Sequence, residues 1–172
     1  RISGKVSGKI DSVEINSYIY RNVDLSGIFT EKTWDGSVRI SDDNIRMDLL
    51  GMFDFRNELP EFDFTLNLGK SNLYKLNFDK SDSTSRLAAL LTANFRGNNI
   101  DNLFGEIKLL NSTLVKHGAT LELYDFSLKA FNEESRPAIS LRTDFVNADL
   151  RGYYEFGEIR DVIKKAMARL MP

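Results

Sequence analysis

The residues able to do acid–base, metal or nucleophilic chemistry are few, and they are scattered. The single histidine, His117, lies in Lys116-His117-Gly118, a tight-turn composition between two alternating runs. A general base needs a partner to orient it, and none is visible near His117 in the chain. The acidic pairs Asp42-Asp43 and Glu133-Glu134 fall in apparent loops, where they are expected to do no more than solvate the chain. Neither pair supplies enough oxygens to enclose calcium or magnesium. With zero cysteines the chain has no disulfide, thiolate metal site or cysteine nucleophile. Asn111-Ser112-Thr113 matches a glycosylation tripeptide that is common by chance. An enzyme acting on lipid or polysaccharide would need paired carboxylates roughly 5–10 Å apart, and no such pair can be placed. The expectation is a protein that is not an enzyme, with no metal and no cofactor.

At 172 residues, with 42% apolar and 28% charged residues, the composition suits one globular domain over residues 1–172. A net charge of −2 gives no concentrated basic surface for nucleic acid. No apolar run reaches the roughly 18–20 residues that span a bilayer. The opening "RISGKVSGKIDS" lacks the apolar core of a signal peptide and begins inside a strand pattern. It reads as a segment excised from a longer chain, whose flanking segments would be its neighbours.

Positioning depends on strands. In "FDFTLNL", Phe62, Phe64, Leu66 and Leu68 alternate with Asp63, Thr65 and Asn67, the period of a half-buried strand. Ile45, Met47, Leu49, Phe53 and Phe55 form a second such set, and Leu87, Leu91 and Phe95 a third. Ile107 with Leu109, and Ile139 with Leu141 and Phe145, continue the pattern. Trp34-Asp35-Gly36, residues 41–44, Gly97-Asn98-Asn99 and residues 116–118 are predicted turns between strands covering about residues 2–156. Short turns and regular alternation imply an antiparallel meander. The phase breaks from Ile10 to Val13 and from Leu123 to Phe126 predict bulges or turns. Glycine recurs between apolar residues at Gly4, Gly8, Gly27, Gly51, Gly105 and Gly152. There it sits on the apolar face, where bending or relief of crowding are the two explanations.

Helix is scarce. A short helical turn is possible near residues 72–77. The one well-formed helical stripe is Ile159, Val162, Ile163, Met167 and Leu170, within a predicted amphipathic helix over about 158–171. Packed on the apolar face together with Leu150, Tyr154 and Phe156, it would act as a lid. Lying on a membrane surface, with Lys164, Lys165 and Arg169 at the headgroups, is the alternative. One helix of about 20 Å cannot cover the apolar faces of eight to ten strands about 33 Å long. The sheet therefore either closes into a sandwich or barrel, or curves into a trough whose apolar lining stays open to a ligand. The candidate lining is Phe53, Phe55, Phe62, Phe64, Leu66, Leu91, Phe95, Ile107, Leu109, Leu123, Phe126, Leu128, Leu141 and Phe145.

"NNIDNLFGEIKLLNSTLVKHGATLELYDFSLKA", "LPEFDFTLNLGKSNLYKLNFDK" and the closing "LRGYYEF" with its helix ending in "LMP" resemble the TamB/AsmA-like family. The second stretch is similar to the versions found in Bacteroidetes-type bacteria. The resemblance runs from about residue 8 to the end and carries no catalytic signature; Met171 stands where leucine is commoner. It implies one segment of an open, taco-like β-groove in a long periplasmic protein anchored to the inner membrane. It also implies phospholipid or another acyl-chain ligand moving between the inner and outer membranes. The alternative it implies is an interaction module that assists outer-membrane protein assembly by strand pairing with a β-barrel partner.

Overall fold

The computed structural model describes residues 3–133 and 136–153. Ten strands follow one another: β1 (Ser3–Ile15), β2 (Tyr18–Thr30), β3 (Thr33–Ser41), β4 (Ile45–Asp54), β5 (Glu61–Asn72), β6 (Arg86–Arg96), β7 (Phe104–Lys116), β8 (Ala119–Glu133), β9 (Arg136–Thr143) and β10 (Asn147–Arg151). They form a single antiparallel sheet in the order of the sequence. β1 and β10 stand at opposite ends of that order, so the sheet is open and not closed into a barrel or sandwich. Each strand makes its appreciable contacts only with its sequence neighbours. No α-helix and no second layer lie among the described residues; one 3₁₀ turn, Ile100–Asn102, precedes β7. The expected C-terminal helix and its stripe, Ile159, Val162, Ile163, Met167 and Leu170, with Tyr154 and Phe156, lie outside the described residues.

Tight turns set the register. Asn16 and Ser17 join β1 to β2 with φ of 54° and 58°, and His117 and Gly118 join β7 to β8 with φ of 50° and 75°. Positive φ at both central residues matches the right-handed twist of the flanking strands. His117 therefore serves as the turn residue its context suggested.

Trp34-Asp35-Gly36 is not a turn; these residues lie inside β3 and pair with Phe29, Ile28 and Gly27. Gly36 is in extended backbone, and its lack of a side chain serves the approach of a neighbouring strand. A Cβ on Gly36 would stand 2.1 Å from the Ser26 carbonyl oxygen and 2.5 Å from Gly27 Cα. On Gly51 it would meet Asp63 O at 2.3 Å, and on Gly105 it would meet Asn94 O at 2.2 Å. Gly4 and Gly8 have open space in the same direction. Only some copies of the recurring glycine therefore serve close backbone approach.

Both phase breaks share one device. Ile10 pairs with Val23 and Ser12 with Arg21, and between them Asn22 adopts φ 53°. Leu110 pairs with Asp125 and Ser112 with Leu123, with Asn111 at φ 48° between them. Asparagine tolerates this left-handed conformation better than most side chains. The apolar alternation therefore changes phase on both strands of each pair. Asp42 of the β3–β4 turn accepts the Arg21 N–H at 3.1 Å, and Asp144 of the β9–β10 turn accepts the Tyr124 N–H at 2.6 Å. Asp42 also accepts from the Tyr18 hydroxyl and the Asn44 N–H. Burial works against its charge, but these donors outweigh it and hold the carboxyl below its usual range. Asp42 is thus a capping residue and not simply a solvated loop acid.

Candidate functional site

The register stacks the apolar side chains into rows that cross the strands. The first row reads Gly4, Phe29, Trp34, Phe53, Phe62, Phe95, Gly105, Ala130, Ile139 and Leu150 from β1 to β10. The second is Val6, Gly27, Gly36, Gly51, Phe64, Ala93, Ile107, Leu128, Leu141 and Ala148. The third is Gly8, Leu25, Val38, Leu49, Leu66, Leu91, Leu109, Phe126 and Thr143. Residues two apart on a strand share a face, so the three rows form one surface nearly free of polar side chains.

Aromatic contacts bind the first row. Ring centroids lie 6.3 Å apart for Phe29 and Trp34, 5.0 Å for Trp34 and Phe53, 5.7 Å for Phe53 and Phe62, and 4.9 Å for Phe62 and Phe95. Tilted, edge-on and, for Phe62 and Phe95, stacked pairs of this kind add attraction beyond area burial. They run beside the glycine stretch Gly27, Gly36 and Gly51, where backbone replaces side chain. In the third row every residue from Leu25 to Phe126 is half-buried, because the sheet shields one side of each chain and nothing described covers the other.

Of the sequence-predicted lining, all but Phe55, Leu123 and Phe145 fall in these rows. Phe55 lies just past β4, 51% exposed, with its ring 5.8 Å from Phe62. Leu123 pairs with Ser112 beyond the phase switch. Phe145 is not a strand residue: β9 ends at Thr143, and Phe145 sits in the following turn, 66% exposed. The predicted lining left out Leu25 and Phe29 of β2 and Trp34 and Val38 of β3, which alternate just as the recognised strands do. Reading Trp34 as a turn hid that pattern.

One end of the face is covered by an element that was expected only as a helical turn. Residues 73–85, between β5 and β6, start with a single turn in which Leu76 N–H donates to Asn72 O at 3.0 Å and Lys75 N–H to Asn72 Oδ1 at 3.0 Å. The turn does not extend into a helix. Leu76 is 1% exposed and packs with Tyr20, Val23, Ile40 and Ile45, beside Met47 and Leu68. This strap is tied to both long hairpin tips. Asn77 bonds to the β1–β2 tip through Asn16 and Ser17. On the other side Asp79 pairs with Lys116 at 3.0 Å, and Asp82 accepts the His117 N–H.

The opposite face is mixed, with charged and hydroxyl side chains beside the exposed Ile28 and Leu50. Lys9, Asp24, Arg39 and Asp48 stand in register as alternating charges, with Lys9–Asp24 at 3.9 Å and Arg39–Asp48 at 2.5 Å. Beside them runs a shallow trough of about 920 Å³ with Ser26, Ser37 and Thr65 on its walls. Among the described residues no three His, Asp or Glu side chains converge as metal ligands.

Comparison of the chain with protein-family models, with curated proteins and with solved structures gave no match.

Proposed function

We propose that the apolar face binds acyl chains of phospholipid and forms one wall segment of a groove that carries them. The observation behind this reading is the continuity of three apolar rows over an open sheet, in which most of the large side chains other than Trp34 and Ile139 stay part-exposed among the described residues. A monomer that exposes so large a contiguous apolar surface needs a partner for it. Acyl chains ask only for continuous apolar contact, which suits rows of interchangeable Leu, Ile, Val and Phe. The resemblance to the TamB/AsmA-like family supports the same reading. It further suggests a curved, taco-like form, a periplasmic location in a parent chain anchored to the inner membrane, and phospholipid traffic between the two membranes. The reading calls for no enzymatic step and no cofactor. Mass spectrometry of the protein purified from cells should find phospholipid bound at defined stoichiometry. Protein that binds no acyl ligand under any condition sinks the proposal.

A second reading rests on a separate observation. Among the described residues β1 pairs only with β2 and leaves an edge of 13 residues, with Val6 44% and Ile10 40% exposed. An edge of this length is a template for strand addition, either by flanking segments of the same long chain or by an outer-membrane β-barrel partner. Proline substitutions along β1 that abolish a stable complex while lipid binding persists would favour it.

A further inference from the structure

Trp34 is the chain's only tryptophan and stands in the aromatic row between Phe29 and Phe53. It is 9% exposed, and its Nε1 is fully enclosed with no hydrogen-bond partner. The N–H edge lies over Gly27: a Cβ on that glycine would stand 2.8 Å from Nε1. A buried donor without an acceptor retains the whole desolvation cost of its polar atom. Phenylalanine fills the neighbouring places in this row and would fill this one without that cost. An indole N–H in such a place is explained if an acceptor arrives from outside the chain. The acceptor must enter an apolar surface, so it belongs to a largely apolar molecule carrying a few carbonyl oxygens.

Resting on the acyl-binding reading above, we propose that Trp34 Nε1 donates to the ester carbonyl of a bound acyl lipid. The ligand class of this face is then an acyl ester and not a bare hydrocarbon. Because Nε1 is enclosed over Gly27, this bond requires the indole to turn about Cβ–Cγ as the ligand binds. Ring contacts with Phe29 and Phe53 set the position from which it swings.

The test compares a diester phosphatidylcholine with the diether of identical chain length, each competing with a fluorescent acyl probe. The wild-type chain should prefer the diester by about fivefold to tenfold, the range of one hydrogen bond to a buried donor. Trp34→Phe should bring the diester-to-diether ratio to about one, whatever it does to the affinity for either lipid. A measurement on the unaltered chain needs no variant: its one indole N–H resonance should move downfield with diester and stay with diether. No ester preference, or a preference that survives Trp34→Phe, overturns the role of Trp34 and leaves the groove standing. Failure of both lipids to bind overturns the groove and this proposal with it.

Discussion

Asn16 and Asn77, 61 positions apart, exchange hydrogen bonds with each other's backbone. Asn16 Nδ2 donates to Asn77 O at 3.1 Å, and Asn77 Nδ2 donates to Asn16 O at 3.0 Å and to Ser17 O at 3.1 Å. Both residues take left-handed backbone, with φ of 54° and 63°. The pair clasps the β1–β2 tip to the strap and seats Leu76 in the best-buried part of the apolar face. Leu76→Ala should cost about 2–5 kcal/mol, the usual range for a leucine removed from a packed site. Asn77→Ala, which breaks exposed bonds and leaves alanine in left-handed backbone, should cost about 1–2 kcal/mol. Urea unfolding of both variants measures the difference; equal losses would mean that Leu76 does not anchor the strap.

The glycines should divide by what surrounds them. Gly36→Ala and Gly51→Ala force a Cβ into the backbone of the next strand and should each destabilise by about 1–3 kcal/mol, as overpacking does. Gly8→Ala enters open space and should be neutral or stabilising by up to about 1 kcal/mol, since alanine loses less freedom on folding. Chemical denaturation of the three variants side by side gives the ranking.

Leu66 and Thr65 are adjacent in β5 but face opposite ways. Leu66→Asp places a charge in the third apolar row and should abolish acyl binding in a chain that still shows its β-sheet circular dichroism. Thr65→Asp, on the polar face, should leave binding unchanged. Equal behaviour of the two variants would argue against the apolar face as the binding surface.

Acid should loosen the strap first. Hydrogen bonds from Ser81 and Lys116 hold the Asp79 carboxyl far below its usual range, and the His117 N–H and Thr84 hold Asp82 low. A carboxylate whose folded pKa is depressed stabilises the fold fully above its unfolded pKa, near 3.9. That contribution falls away as pH drops through the folded values. Stability should therefore be flat from about pH 7 to 5 and decline below about 4. Hydrogen exchange at residues 73–85 should accelerate, relative to the sheet, before global unfolding. Asp79→Asn should shrink this acid dependence.

Asn22 and Asn111 hold the phase switches in left-handed backbone. Replacement by valine should cost about 1–2 kcal/mol at each, while glycine should be tolerated. Thermal melts check this directly, and a harmless valine at either place would remove the conformational explanation.

Alternation alone determined that this chain is a meander of antiparallel strands and which side chains of the recognised strands share the apolar face. A two-residue period forces that outcome whatever the neighbours are. It also marked both phase breaks, because a slip in the period is visible in one strand. The left-handed asparagine that makes each slip possible was not legible, since it answers to pairing with another strand. The strap was illegible for a similar reason: Leu76 is buried only because Tyr20, Val23, Ile40 and Ile45 come to meet it from three other strands. Trp34-Asp35-Gly36 carries a local turn composition, yet Gly36 is there to admit the backbone of β2. Whether the sheet closes on itself or stays open was undecidable from the pattern, because both arrangements bury the same residues along each strand. The pairing of strands decided it: each strand pairs only with its sequence neighbours, β1 and β10 stand at opposite ends of the sheet, and among the described residues only the strap covers part of the rows of Phe, Leu and Ile.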